Sequence, residues 1–293
     1  MLPVVNYGKI SGGTPLAFFR RRAWRILPPL YAALLFGVAV KVISSHQSTG
    51  TWTLDSSALM TNIFLLQDVF LSHNIFDGAL WSVAVEWRIY FLFPLLLAAL
   101  SRWGRFPIVI LTGILVVPIS WIVTSYYPQY AMACPWYLLL FVLGILSSEL
   151  STPGACVPTR LWQFFTLLFV VLSAVALRNF PVGIKNLFGS HMYIVDILVG
   201  AAAASLIGTL RGYDRGKRAL EWPLLSAIGK RSYSLYLVHL PTIILCSTLS
   251  AWILGNSTSV NRTILQMMLT CTMIPLVTYT LYKYVEAPSA KMR

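Results

Sequence analysis

The stretch Phe76-Asp-Gly-Ala-Leu-Trp-Ser-Val-Ala-Val-Glu-Trp-Arg-Ile-Tyr-Phe-Leu-Phe-Pro-Leu-Leu-Leu97 decides the class of fold. From Trp81 onwards it is apolar and extends far enough for a membrane-spanning helix, which needs about 20 residues. Glu86 and Arg88 interrupt it near its start. Ionisable side chains are costly at membrane depth and are therefore functional candidates. The stretch predicts a spanning helix that carries a polar site.

The composition extends this prediction to the whole chain. Of 293 residues, 57% are hydrophobic and 11% are charged, whereas about a quarter are charged in a soluble domain. The mean hydropathy is +0.73. We expect an all-α, polytopic transmembrane helical bundle of about eight spans, forming one membrane-embedded domain over residues 1–293. Apolar runs place the spans near 26–43, 82–100, 107–124, 136–150, 161–177, 193–210, 224–254 and 264–282.

The net charge of +13 raises the question of a nucleic-acid partner. If residues 20–25 are cytoplasmic and eight spans follow, the predicted outer loops hold only four of the 22 basic residues. These four are Lys41, Arg178, Lys185 and Arg262. Such asymmetry is the positive-inside pattern of membrane proteins. It predicts cytoplasmic termini and membrane lipid as a partner, with no nucleic acid.

Two loops carry further information. Residues 54–70, in a long outer excursion, are amphipathic, and Asn62, Gln67 and Asp68 interrupt the apolar pattern. We expect this segment to lie on the membrane or to cap the bundle from outside, and not to span. The inner loop 211–218 is basic and could hold an anionic headgroup or donor phosphates. No spacing of His, Cys or acidic residues predicts a metal site.

Arg22 and Arg25 are three residues apart and therefore share a helix face at the predicted cytoplasmic mouth of the first span. Guanidinium groups suit phosphate, and a helix start there would add its backbone N–H donors. A topology anchor beside anionic lipid is the structural alternative. Both readings remain open from the residues alone.

On the second predicted helix, Ser82, Glu86 and Tyr90 recur every four residues and share a face. A carboxylate there could orient a base or bind sugar hydroxyls. The structural alternative is an ion pair or a carboxylate that reaches the membrane surface. We therefore treat Glu86 as a catalytic candidate, with Ser82 and Tyr90 lining the substrate cavity.

A second polar face lies on the seventh predicted helix, where Ser232, Tyr236 and His239 follow one another at helical spacing. A single histidine on an apolar helix can be an interhelical hydrogen bonder or a catalyst. The neighbouring hydroxyls favour a cavity. We therefore expect His239 to be catalytic, with Ser232 and Tyr236 beside it, and to border the same polar cavity as Glu86.

Four motifs in this order resemble the acyltransferase 3 family of integral membrane acyltransferases. They are Phe19–Pro29, Leu80–Pro94, Arg231–Pro241 and Tyr284–Pro288. The resemblance implies transfer of an acyl group, often acetyl, from cytoplasmic acyl-CoA to a hydroxyl of a saccharide or lipid-linked glycan. It implies a donor-side role for Arg22 and Arg25 and an internal role for Glu86. It also implies no bound cofactor, and we expect the plasma (inner) membrane of a bacterium as the location.

The resemblance also implies two further helices upstream, the first with a histidine that acts as the catalytic base. We expect the chain to be N-terminally short relative to the family, through truncation, fragmentation or loss of activity. His239 would then be the intramembrane substitute. The competing functions are a transporter or flippase of a lipid-linked glycan, an inactive truncated relative and a membrane scaffold, because polar helix faces also line permeation paths.

Overall fold

A computed structural model describes residues 5–6, 9–10, 15–45, 56–70, 80–150, 158–180, 191–211, 221–255 and 259–292. Within these residues, eight helices are long and apolar enough to cross a membrane. The predicted all-α transmembrane class is therefore confirmed, and the protein is an integral membrane protein. A pair of antiparallel two-residue strands, β1 (Val5–Asn6) and β2 (Lys9–Ile10), is the only sheet in the described part of the chain.

The helices follow the predicted apolar runs closely. In chain order they are α1 (Pro15–Ser45), α2 (Ser56–Ile63), α3 (Trp81–Trp103), α4 (Arg105–Tyr126), α5 (Tyr137–Leu150), α6 (Thr159–Asn179), α7 (Met192–Arg211), α8 (Pro223–Leu254) and α9 (Ser259–Leu281). A π-helical segment, Tyr282–Glu286, continues α9. All of them except the eight-residue α2 contribute to the spans.

Helix α1 begins at Pro15, well before the predicted residue 26. Arginines end an apolar window, but they are good helix formers and do not end a helix. Proline is also a favoured first helical residue. Arg22 and Arg25 consequently lie within α1 and not at its start. The expected contribution of free backbone N–H groups at these arginines is wrong, because those groups are used in hydrogen bonds along the helix.

The shortest span combines two kinds of helix. Helix α5 has 14 residues, which amounts to about 21 Å at 1.5 Å per residue and is less than the roughly 30 Å of a bilayer core. A 3₁₀ helix, Pro128–Ala133, precedes it, and this geometry rises about 2 Å per residue. Together they form the candidate span Pro128–Ser148.

The chain divides into two compact units, and residues 1–13 and 85–223 form the first. Within it α7 packs against α5 and α6, and glycines allow the close approach. A Cβ atom at Gly200 would lie 2.4 Å from Leu140 Cδ2, and one at Gly208 would lie 2.4 Å from Trp162 Cδ2. Small residues at such crossings are typical of membrane helices, which associate through close packing.

Residues 14–84 and 224–293 form the second unit, which contains α1, α2, the first turn of α3, α8 and α9. Two side chains attach the outer segment to its neighbours. The Tyr31 hydroxyl of α1 donates to the carbonyl of Ile63 at 3.2 Å, and Gln67 Nε2 donates to the carbonyl of Leu80 at 3.0 Å. The segment 56–70 therefore packs against protein, which supports the capping alternative.

Candidate functional site

The polar face of α3 is continuous, because the helix runs unbroken from Trp81. Tyr90 is buried, and its hydroxyl donates a short hydrogen bond to Glu86 Oε1. No other described residue donates to the Glu86 carboxylate, which is exposed. One carboxylate oxygen is thus fixed by Tyr90, and the other is open to a ligand. This arrangement suits a carboxylate that accepts a hydroxyl proton or a sugar hydroxyl bond.

Ser82, one turn before Glu86, makes a different contact. Its Oγ lies 2.6 Å from the Tyr236 hydroxyl in the second unit. The sequence placed these residues on two separate polar faces, and the structure joins them across 154 positions. Either hydroxyl can be the donor, so the pair retains one further O–H and several lone pairs for a ligand.

His239 is held next to this hydroxyl pair. Its Nδ1 lies 2.7 Å from the carbonyl oxygen of Tyr236, and the rings of the two residues are 5.7 Å apart. A carbonyl oxygen only accepts, so Nδ1 carries the hydrogen. In the neutral imidazole, Nε2 then carries the lone pair and can accept a proton. His239 is half-buried, which keeps it within the protein while leaving part of the ring accessible.

Ser232 does not join this group. It is exposed, and its hydroxyl donates to the carbonyl of Gly229 in its own helix at 2.9 Å. Ser234 faces the interior instead. It is buried, and both its backbone N–H and its hydroxyl donate to Glu286 Oε2, the former at 3.2 Å. The sequence analysis missed this contact because the two residues are 52 positions apart.

The outer segment places polar groups close to the start of α3. Asn62, Gln67 and Asp68 are all buried, although they had appeared only as interruptions of an amphipathic pattern. Gln67 Nε2 is bonded to Leu80, two residues before Ser82. Gln67 Oε1 is buried with no hydrogen-bond donor among the described residues. Burial of an unsatisfied amide oxygen is costly and identifies a polar position next to the hydroxyl pair.

The donor-side arginines lie near the opposite end of α1 from Tyr31. Arg22 and Arg25 are both half-buried and share one helix face, and the Arg22 guanidinium stands 5.4 Å from the centre of the Phe18 ring. Tyr233 of α8 donates its hydroxyl to the carbonyl of Ile26 at 3.0 Å, which fastens α8 to α1 one residue after Arg25. Two guanidinium groups on a braced helix are suited to phosphate.

In the first unit, a second group of polar residues was missed in the sequence analysis. Trp136 is fully buried, and its indole N–H donates to Asp196 Oδ2 at 2.7 Å. Arg88 donates to the carbonyl of Ala133 at 3.4 Å. Cys134 is close enough to both Arg88 and Asp196 to interact electrostatically with each. Asp196 inside an apolar helix was the available signal, because intramembrane carboxylates are functional candidates.

The fold and these polar groups define a class of protein: a polytopic membrane protein whose spanning helices hold carboxylate, imidazole and hydroxyl groups within the membrane. Residues 10–283 match the acyltransferase domain of the acyltransferase 3 family. The chain belongs to this family and is a membrane acyltransferase. The match includes both arginines of α1, Glu86 and His239. No curated protein and no solved structure matched the chain.

Proposed function

We propose that the protein is a membrane O-acyltransferase that moves an acyl group, often acetyl, from cytoplasmic acyl-CoA to a hydroxyl of a saccharide or lipid-linked glycan. The observation that carries the proposal is the arrangement at His239. Its Nδ1–H is engaged by a backbone carbonyl, so Nε2 is the proton acceptor beside the Ser82–Tyr236 hydroxyl pair. Acyl transfer to a hydroxyl requires such an acceptor.

The proposed reaction proceeds by direct attack. The acceptor hydroxyl loses its proton to Nε2 of His239 while its oxygen forms a bond to the thioester carbonyl carbon. The carbon–sulfur bond then breaks, and the proton passes to the departing thiolate to give free CoA. Ser82 and Tyr236 supply hydroxyls that can bind the sugar. Glu86, oriented by Tyr90, provides a carboxylate oxygen for an acceptor hydroxyl.

The proposed topology follows from the distribution of charge. Both termini and the basic end of α1 lie in the cytoplasm, and the membrane is the plasma (inner) membrane of a bacterium. Acyl-CoA is a donor substrate and not a resident cofactor. Its phosphates carry negative charge, which suits Arg22 and Arg25 at the cytoplasmic side. The acceptor is then presented from the other side of the membrane.

We expect Arg22→Ala or Arg25→Ala to weaken acyl-CoA binding by about 1.5–3 kcal/mol, the range for hydrogen bonds to charged groups. This corresponds to a rise in Kd of roughly 10- to 150-fold. Arg22→Lys should restore binding only in part, because lysine cannot bind phosphate with two parallel hydrogen bonds. The measurement is titration of the purified protein with acetyl-CoA by calorimetry.

Arg20→Ala is the matched control, since Arg20 is exposed and lies two positions from Arg22, on another part of the helix surface. Its Kd should stay close to that of the unmodified protein. Equal donor affinity in all four proteins, with poor membrane insertion of the Arg22 and Arg25 variants, would leave these residues as topology anchors only.

A further inference from the structure

Two cations in the second unit rest on a group of three tyrosines. The Arg231 guanidinium lies 5.4 Å from the centre of the Tyr279 ring and 5.7 Å from that of Tyr282. Lys283 Nζ lies 5.6 Å from the Tyr279 ring and 5.4 Å from the Tyr284 ring. Tyr279 thus contacts both cations. We call Arg231, Tyr279, Tyr282, Lys283 and Tyr284 the tyrosine–cation patch.

The patch is braced by a buried contact. Glu286 ends the π-helical segment that contains Tyr282, Lys283 and Tyr284. Its carboxylate accepts hydrogen bonds from Ser234, which lies one turn after Arg231 on α8. This contact fixes the segment against α8 and orients the cations on their rings. π-Helical turns are rare and frequently occur at functional positions.

The positive charge of the patch is not neutralised by neighbouring carboxylates. In the described part of the chain, neither Arg231 nor Lys283 forms an ion pair, and the nearby Glu286 is already engaged by Ser234. Aromatic rings attract a cation without removing its charge. Lys230 is exposed beside Arg231 and adds a third positive charge. The patch therefore favours an anion.

The surface next to the cations is apolar and exposed. Leu276 is 59% exposed and lies one turn before Tyr279 on α9, and Tyr284 is 67% exposed. Few residues in the apolar part of this last span are buried, so the helix presents most of its surface to its surroundings. A ligand at the patch therefore meets positive charge at one end and a hydrocarbon-facing helix at the other.

We propose that the tyrosine–cation patch binds the headgroup phosphate of an anionic phospholipid, with the acyl chains along the exposed face of α9. The charge and the adjoining apolar surface match the two parts of such a lipid. Basic positions at the cytoplasmic ends of membrane helices are suited to anionic headgroups. Tyrosine provides an amphipathic ring at the same depth. This function is independent of the proposed acyl transfer.

The test is native mass spectrometry of the detergent-purified protein, titrated separately with phosphatidylglycerol and phosphatidylcholine. We expect phosphatidylglycerol to bind in preference, and the preference to decrease with added salt. Removing both charges with Arg231→Gln and Lys283→Gln should weaken phosphatidylglycerol binding by about 30-fold. The charge-retaining pair Arg231→Lys and Lys283→Arg should keep most of it, which separates lost charge from lost folding.

The matched control is Arg102→Gln with Arg160→Gln, which removes two exposed basic residues of the first unit. It should leave phosphatidylglycerol binding unchanged. Equal loss in this control, or no preference for phosphatidylglycerol in the unmodified protein, would overturn the proposal. Displacement of the lipid by acetyl-CoA would overturn it by assigning the patch to the donor, and a change only in the dimer fraction would assign it to a second copy of the chain.

Discussion

Acyl transfer by Glu86→Gln should be reduced by about 10²- to 10⁴-fold, the range for loss of a group that manages a proton in the transition state. Gln has the same length as Glu, and its amide oxygen can still accept the Tyr90 hydrogen bond that orients Glu86. The variant therefore removes the carboxylate charge while keeping the local contact. The initial rate of labelled acetyl transfer in membranes measures the effect.

Glu221→Gln is the control for this variant. Glu221 is exposed just before α8, and we assign it no part in the reaction. Its rate should match that of the unmodified protein at equal protein level. A Glu86→Gln rate above half of the unmodified rate would exclude Glu86 from catalysis and leave it as a structural partner of Tyr90.

A loss of similar size, about 10²- to 10⁴-fold, is expected for His239→Asn. The asparagine amide can take the position of Nδ1 and donate to the Tyr236 carbonyl, which His239 now contacts at 2.7 Å. The lone pair of Nε2 has no replacement. The variant should consequently fold and bind acetyl-CoA with unchanged Kd but transfer the acyl group very slowly.

His191→Asn provides the comparison, because His191 is an exposed histidine stacked on Phe180 with 4.4 Å between ring centres. It should transfer acyl groups at the unmodified rate. If His239→Asn were as active as His191→Asn, the proton would have to be taken by another group. If it lost donor binding together with the rate, His239 would be a structural residue of α8.

The helices could be predicted because a bilayer restricts the possibilities. Spanning segments must satisfy their backbone groups internally, so long apolar runs become helices. The ends were less accurate where polar residues continue a helix beyond the apolar run. Helix α1 includes Arg22 and Arg25, and α9 starts at Ser259, before Asn261, where the prediction began at residue 264.

Pairings between distant residues could not be predicted. The sequence identified Ser82 and Tyr236 as polar positions on two helices, but helical periodicity gives a direction around one helix and no partner on another. Their contact, the Ser234–Glu286 contact and the Trp136–Asp196 contact all depend on how helices pack. Ser234 was overlooked beside Ser232 because one apolar stretch shows too little contrast between faces to tell them apart.

The most direct test of the acyltransferase assignment uses inverted membrane vesicles, in which the cytoplasmic side faces the added substrate. Vesicles with the unmodified protein receive acetyl-CoA labelled in the acetyl group, and the membrane glycans and lipids are then extracted. We predict labelled ester that mild alkali releases, at a level that falls to background in Glu86→Gln and His239→Asn. Contradiction would be labelling no greater than in vesicles that lack the protein, or ester labelling that is unchanged in both variants.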